Sequence, residues 1–242
     1  MRTHRCFAEE TLKRGSIRLS REESHHLLRV LRAKPGDPVE LIDGCGGRGR
    51  GELRTVHRHR AEIAMTDVVL EPPDSPSVHI AAPSPRGARL DWMIEKLSEI
   101  GVTRWWPLET DHSEKTTRRA ASERRRRITI AAAKQCGRSH LMTIAPPISL
   151  EALARWEPTN GDPTTVRYLA SLHPPESGDL PRPERPIENV LGAIGPEGGL
   201  STAEERALLD AGFEPFRLSP YTLRVETAAL ALASWLVKAG SF

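Results

Sequence analysis

The stretch IGPEGGLS, residues 194–201, sets Gly195, Pro196, Glu197, Gly198 and Gly199 between an apolar run and a run of charge. Glycine inside a regular element costs stability, so such a cluster marks a place where backbone must turn or approach something closely. A loop that leaves a strand and enters a helix is the usual ligand position of an open α/β sheet. Its default ligand is phosphate, held at the positive helix end. This loop has no lysine and lacks the Gly-x-Gly-x-x-Gly spacing of dinucleotide sites. It also places Glu197 where a phosphate would be repelled. The chemistry it suits is a neutral or cationic ligand with a flat part; a tight turn holding nothing is the alternative. A second stretch, LSPYTLRVETAALALA at 218–233, repeats the loop-then-helix pattern and puts Arg224 at or near a helix N-terminus. The helix dipole disfavours a cation there. Arg224 therefore serves something outside the helix, or is merely paired with nearby Glu226.

Alternating strands and helices must position these loops. After a Pro-rich linker at 71–77, VHIAA reads as a short buried strand. A helix follows with Leu90, Met93, Ile94, Leu97 and Ile100 on one face and Gly101 as its stop. TRWWPLE, LMTIA, TVRYLASL, NVLGAI and PFRLS read as further strands. Between them lie an arginine-rich helix closed by Gly137, a helix SLEALARW, a helix capped by Ser201 with Glu204 and ended by Gly212, and a final apolar helix over 224–238. This rhythm predicts a mostly parallel sheet covered on both faces. Residues 1–72 read differently. SIRLS, PVELID, GELRTV and RAEIAMTDVVL are strand-like, CGGRGRG reads as a glycine-arginine turn, and Ser20 with Glu23 opens one helix carrying Leu27, Leu28 and Leu31. A small β-barrel or sandwich is expected there.

Composition bounds the class. The chain of 242 residues is 38% hydrophobic and 28% charged, as in a water-soluble globular protein. Its opening residues have no apolar signal-peptide core. The longest apolar run, Ala228–Val237, is about half a membrane span. Three cysteines without a close pair (Cys6, Cys45, Cys136) predict neither a disulfide framework nor a zinc site, which fits a reducing cytoplasm. The two histidines at 25 and 26 read as helix residues rather than metal ligands. Net charge is only +3, yet residues 115–138 hold nine basic residues against one acid. Such a block inside an otherwise acidic remainder points to a polyanion partner, or else to a solvated helix face. Arginine predominates, and its planar fork suits phosphate.

Six stretches in order carry a resemblance: HHLLRVLRAKPGD at 25–37, EKLSEIGVTRWWPLETDHS at 95–113, AAAKQCGRSHLMTIAPP at 131–147, LHP at 172–174, IGPEGGLSTAEE at 194–205 and LSPYTLRVETAALAL at 218–232. Together they resemble the SPOUT-superfamily methyltransferase family that modifies N3 of one uridine in bacterial 16S ribosomal RNA. The resemblance implies an α/β trefoil-knot methyltransferase domain at 73–242 joined to a PUA-like N-terminal barrel at 1–72, although true knots are rare. It implies S-adenosylmethionine as cofactor and a homodimer acting on 16S rRNA or the assembled small subunit. Carried over position by position, the cofactor pocket comprises Leu172 and His173, then Ile194, Gly195, Pro196, Glu197, Gly198 and Gly199. The last loop adds Leu218, Ser219, Leu223, Arg224, Thr227 and Ala228. Arg138 and Arg224 sit beside matched motifs and are expected to stabilise negative charge on the uracil carbonyls. RNA contacts are expected from Arg2, Arg5, Arg29, Arg32, Arg48 and Arg50, and from Arg118, Arg119, Arg124 and Arg125 in the basic block. The chain departs from the family pattern at Ser219, where glycine is usual, and at Tyr221 and His112, where arginine is frequent. Two other readings stay open: a ribose 2′-O-methyltransferase of the same superfamily, and a catalytically degenerate RNA-binding assembly factor.

Overall fold

The computed structural model describes residues 3–57, 59–110, 119–157, 165–172 and 187–239. Arg2, His112, Arg118 and His173 lie outside the described residues, as does the side chain of Arg119. The chain divides into two units, residues 1–73 with 130–141, and residues 74–129 with 142–242.

In the first unit, β1 (His4–Phe7), β2 (Gly15–Arg18), β3 (Pro38–Ile42), β4 (Gly47–His57) and β5 (Arg60–Leu70) form one sheet in the order β1-β3-β4-β5-β2. Only the β1–β3 pair is parallel. The sequence showed no sign of β1. The glycine-arginine stretch also needs correction, because Gly47 onward is strand and not turn. Only Gly44 and Gly46, with φ of 81° and 98°, make the turn. A Cβ at Gly49 or Gly51 would collide with the Met65 side chain or the Ala64 carbonyl, so these glycines permit close packing across the β4–β5 ladder. The expected helix is shorter and less regular: α1 (Arg21–His25) passes into a π-helical turn at His26–Val30. Ser20 caps α1 by accepting from the Glu23 N–H at 3.2 Å. Glu23 does not close the box. Its carboxylate instead accepts from the Phe7 N–H at 2.9 Å and pairs with Lys134 at 2.6 Å.

The second unit is the parallel sheet that the alternating pattern predicts. It contains β6 (Ser77–Ala82), α2 (Ala88–Ile100), β7 (Arg104–Glu109), the start of α3 (Arg119–Cys136), β8 (Thr143–Ile144), β9 (Ile148–Ser149), α4 (Leu150–Ala154), β10 (Thr165–Ala170), β11 (Asn189–Ile194), α5 (Thr202–Asp210), β12 (Glu214–Phe216) and α6 (Val225–Ala239). The strand order is β12-β10-β11-β6-β7-β8, with β9 also on β7, and every pairing is parallel. Period-2 alternation splits the strands' side chains between two cores. Val78, Ile80, Trp105, Tyr168 and Val190 face α2 and α6. Ala81, Trp106, Leu169, Leu191 and Ala193 face α4 and α5. Gly192 interrupts β11 because α6 leaves no room: a Cβ there would stand 2.6 Å from Leu232 Cδ2. The small-residue run of α6 is thereby spent on internal packing, with Ala229, Leu232 and Ala233 fully buried.

Candidate functional site

Parallel pairing brings all carboxyl ends of these strands to one sheet edge. Ala170 ends β10 opposite Ile194, the end of β11, and on its other side opposite Phe216, the end of β12. The three loops that follow must therefore start side by side. They enclose a cleft of about 820 Å³ including its open mouth. The loop after β10 gives it Ser171 and Leu172, and β10 itself gives Leu169 and Ala170. The loop after β11 gives residues 195–200, and the loop after β12 gives Leu218, Ser219, Tyr221, Thr222 and Leu223. Ala228 from α6 and Glu205 from α5 complete it.

Loop geometry explains the glycines. The Gly199 N–H donates to the Pro196 carbonyl at 2.8 Å, and Gly199 sits at φ 76°, a conformation that side chains resist. Gly198 has open space where a Cβ would stand, which leaves backbone accessible to a ligand. α5 is fully capped: Ser201 Oγ accepts from the Glu204 N–H at 3.3 Å, and the Glu204 carboxylate accepts from the Ser201 N–H at 2.7 Å. Glu204 and Glu205 fill its first turn. A phosphate would find these donors taken and two carboxylates facing it. The cleft therefore presents backbone, apolar side chains and the acids Glu197 and Glu205, a donor set suited to a flat, cationic ligand. Replacing Gly199 with valine forces a β-branched residue into the left-handed region at a cost of about 2 kcal/mol. The loop lies outside both cores and relaxes from that conformation in the free protein, so a ligand must restore it: the expected result is affinity about thirtyfold weaker by calorimetry with little change in melting temperature.

Of the residues expected in the pocket, Leu172, Ile194, Gly195, Pro196, Glu197, Gly198, Gly199, Leu218, Ser219, Leu223 and Ala228 line this cleft. Arg224 and Thr227 are exposed and are not among its lining residues. Sequence reasoning missed Ser171 and Glu205, whose side chains hydrogen-bond to each other. Glu205 carried one local signal, its place as an acid in the first turn of α5, next to the glycine loop. Ser219 needs no glycine-like backbone; its hydroxyl accepts from the Tyr221 N–H at 3.1 Å. Tyr221 is 79% exposed.

The arginines divide by use. Glu226, 5% exposed, pairs with Arg89 at 3.5 Å, so Arg224 is not its partner. Arg224 makes no ion pair or hydrogen bond through its side chain among the described residues. Arg138 belongs to the first unit and Arg224 to the second. In the first unit Arg5 pairs with Glu40 at 2.7 Å and donates to the Lys134 carbonyl at 2.7 Å. Arg48 pairs with Glu71 at 3.0 Å and donates to the Gly137 carbonyl. These two bind the end of α3 to the sheet, whereas Arg29, Arg32 and Arg50 are exposed. In the second unit Arg124 is exposed and pairs with Asp91, and Arg125 is half-buried. Among the described residues no group of three or more His, Cys, Asp or Glu side chains could hold a metal, and no helix is long and apolar enough to cross a membrane.

Comparison with known proteins places this geometry. A family model described as an RNA methyltransferase domain matches residues 73–237, and one described as an RNA methyltransferase PUA domain matches residues 19–65. The ribosomal RNA small subunit methyltransferase E of Synechocystis is 32% identical over 91% of this chain and 72% of its own length. The protein of that name from Aquifex aeolicus is 26% identical over 97% of this chain and 99% of its own. A solved structure of ribosomal RNA small subunit methyltransferase E from Neisseria gonorrhoeae, bound to S-adenosyl methionine, superposes with a TM-score of 0.83 at 27% identity, covering 98% of both chains.

Proposed function

The chain belongs to the RNA methyltransferase family, the small-subunit ribosomal RNA methyltransferases among them, and from that premise we propose that it methylates N3 of one uridine in 16S rRNA of the small ribosomal subunit. S-adenosylmethionine is the donor, and when bound it supplies an electrophilic methyl group on a positively charged sulfur. The observation that carries this reading is the three-loop cleft, with glycine backbone for a flat adenine and two carboxylates for the cation. Ile194–Gly199, Leu218–Leu223, Leu172 and Ala228 hold the donor, with His173, Arg224 and Thr227 flanking them on the family pattern.

The chain's own contribution is alignment and charge. Uridine N3 carries a proton and a poor lone pair, so the base must lose that proton as it reacts. Holding it in line with the methyl group is worth several kcal/mol. Arg224 opposes the negative charge that grows on the uracil carbonyl oxygens. The target edge is paired or stacked in folded RNA and has to be exposed before reaction. Residues 1–72 act as the RNA-gripping domain and 73–242 as the methyltransferase domain. Exposed Arg29, Arg32, Arg50 and Arg124 supply phosphate contacts, together with the rest of the basic block. Arg5 and Arg48 contribute less, being committed to Glu40 and Glu71. The working protein is a cytoplasmic homodimer.

Incubating the protein with labelled donor and under-methylated small subunits, then mapping the product, tests the reading. A methyl group on N3 of one uridine is the expected result. A methyl on a ribose 2′-oxygen would place the chain among the 2′-O-methyltransferases. No donor binding by calorimetry would make it an assembly factor. Affinity for small subunits should fall by about 0.7 to 0.9 of a log unit per phosphate contact for each log of salt. Arg50→Ala is expected to lower that slope by about one such contact in a filter-binding series.

A further inference from the structure

A second cleft opens on the same sheet edge, and it shares Pro196 and Glu197 with the first. The loop after β6 lines it with Pro83, Pro85 and Arg86, the end of β7 with Pro107 and Glu109, and the first turn of α2 with Arg89. Register explains the neighbourhood. Ala81 of β6 pairs with Ala193 of β11, and Ala82 pairs with Pro107 of β7, so the loops after these strands emerge beside the glycine loop. Proline side walls are rigid and apolar, suited to the faces of a flat ring, while the charges stand at the edge. Arg89 is fixed from behind by Glu226, whose buried Oε2 makes no hydrogen bond among the described residues. Glu226 is the second residue of α6, and Ala228, two residues on, lines the first cleft. One helix turn thus serves both clefts.

The pairing edge of uracil presents acceptor, donor, acceptor: O2, N3–H, O4. Its complement is donor, acceptor, donor, which two guanidinium groups flanking a carboxylate provide. Among the described residues Glu197 is the one carboxylate that lines both clefts; Glu205 lines only the first and Glu109 only the second. We propose that the second cleft receives the target uracil, with Arg86 and Arg89 on its carbonyl oxygens, and that Glu197 takes the N3 proton. This rests on the function proposed above. The N3–H bond breaks, its electron pair stays on N3, and the proton moves to a Glu197 carboxylate oxygen, which later releases it to solvent. The uracil anion so formed spreads its charge over O2 and O4, where Arg86 and Arg89 add to the charge of Arg224.

Photo-crosslinking tests the cleft without using activity. A short single-stranded RNA with one 4-thiouridine is irradiated with the protein and S-adenosylhomocysteine, and the linked peptide is identified by mass spectrometry. Crosslinks within 83–90 or 107–109, reduced at least tenfold by Arg89→Ala and by Glu226→Gln, are expected. Crosslinks concentrated elsewhere overturn the assignment, even if the protein proves a uridine-N3 methyltransferase. Glu197→Gln tests the proton acceptor. At saturating donor its single-turnover rate should fall at least a hundredfold, and the acid limb of the pH–rate profile should disappear. A rate restored by more donor, or an acid limb that persists, overturns the role of Glu197. Failure of wild-type protein to methylate uridine N3 would instead sink the functional reading, leaving the crosslink to report the cleft by itself.

Discussion

Arg224→Ala is expected to slow methylation of small subunits by about two orders of magnitude, roughly 3 kcal/mol of transition-state stabilisation, while S-adenosylmethionine affinity is unchanged. Arg224 sits one residue before α6, and its carbonyl accepts from the Ala228 N–H at 2.8 Å. The positive helix end disfavours a cation at this position. Nearby Glu226 is engaged with Arg89. An exposed arginine whose side chain has no partner among the described residues, placed against the dipole, contributes nothing evident to folding, so the variant's melting temperature should not move. Lysine at 224 should recover part of the rate, because the charge is kept while the planar fork is lost. Single-turnover kinetics at saturating donor, beside calorimetry, separate the outcomes. If the rate returns to wild type once donor is saturating, Arg224 binds the donor and does not stabilise charge on the base.

What the sequence disclosed about the site follows from local chemistry. Ser201 and Glu204 are three residues apart, and both halves of the capping box form. Gly101, Gly137 and Gly212 end their helices with φ of 112°, 87° and 83°, as glycine after a periodic apolar run predicts. β5 and β11 occupy the residues read as strands, because alternation or a bounded apolar run is written in them. What stayed hidden depends on partners far along the chain. β1 is four residues of mixed polarity whose strand state comes from parallel pairing with β3, 35 residues on. The strand state of Gly47–Gly51 comes from the opposite wall of the ladder, which glycine alone can approach. Glu23 looks like half of a capping box, yet Phe7 and Lys134 claim it. Residues 130–141 join the first unit although they are read as part of the second domain's rhythm, held there by Arg5 and Arg48 on the carbonyls of Lys134 and Gly137. Net charge could count those arginines but could not say which were already engaged. The same limit applies to Arg89: helical periodicity places it on α2, and only the fold brings Glu226 behind it.

His79 should make stability fall as pH drops from 6.5 to 4. It lies on β6 at 6% exposure, stacked on Trp106 at 5.5 Å between ring centres and close to Trp156 at 5.0 Å. Burial pushes its pKa down to about 4, helped by the nearby Arg104 charge, whose guanidinium lies 5.4 Å from the centre of the Trp106 ring. Its Nε2 meets Ser77 Oγ at 3.1 Å. In the unfolded chain the same imidazole titrates near 6.5. Between pH 6.5 and 4 the unfolded state therefore binds a proton that the folded state refuses, so unfolding free energy falls as pH falls. It is at its full value above pH 6.5 and levels off below pH 4 as far as this group is concerned. The difference between those pKa values amounts to about 3 kcal/mol. Urea titrations at half-unit steps from pH 7 to 4.5 should show a slope approaching one proton. His79→Phe keeps a ring against the tryptophans and should flatten the curve across that range, while losing the Ser77 contact at all pH values. A slope that survives this substitution would assign the proton to another group. Methyl transfer measured in the same range would then separate loss of fold from loss of the N3 anion, since only the first disappears with His79.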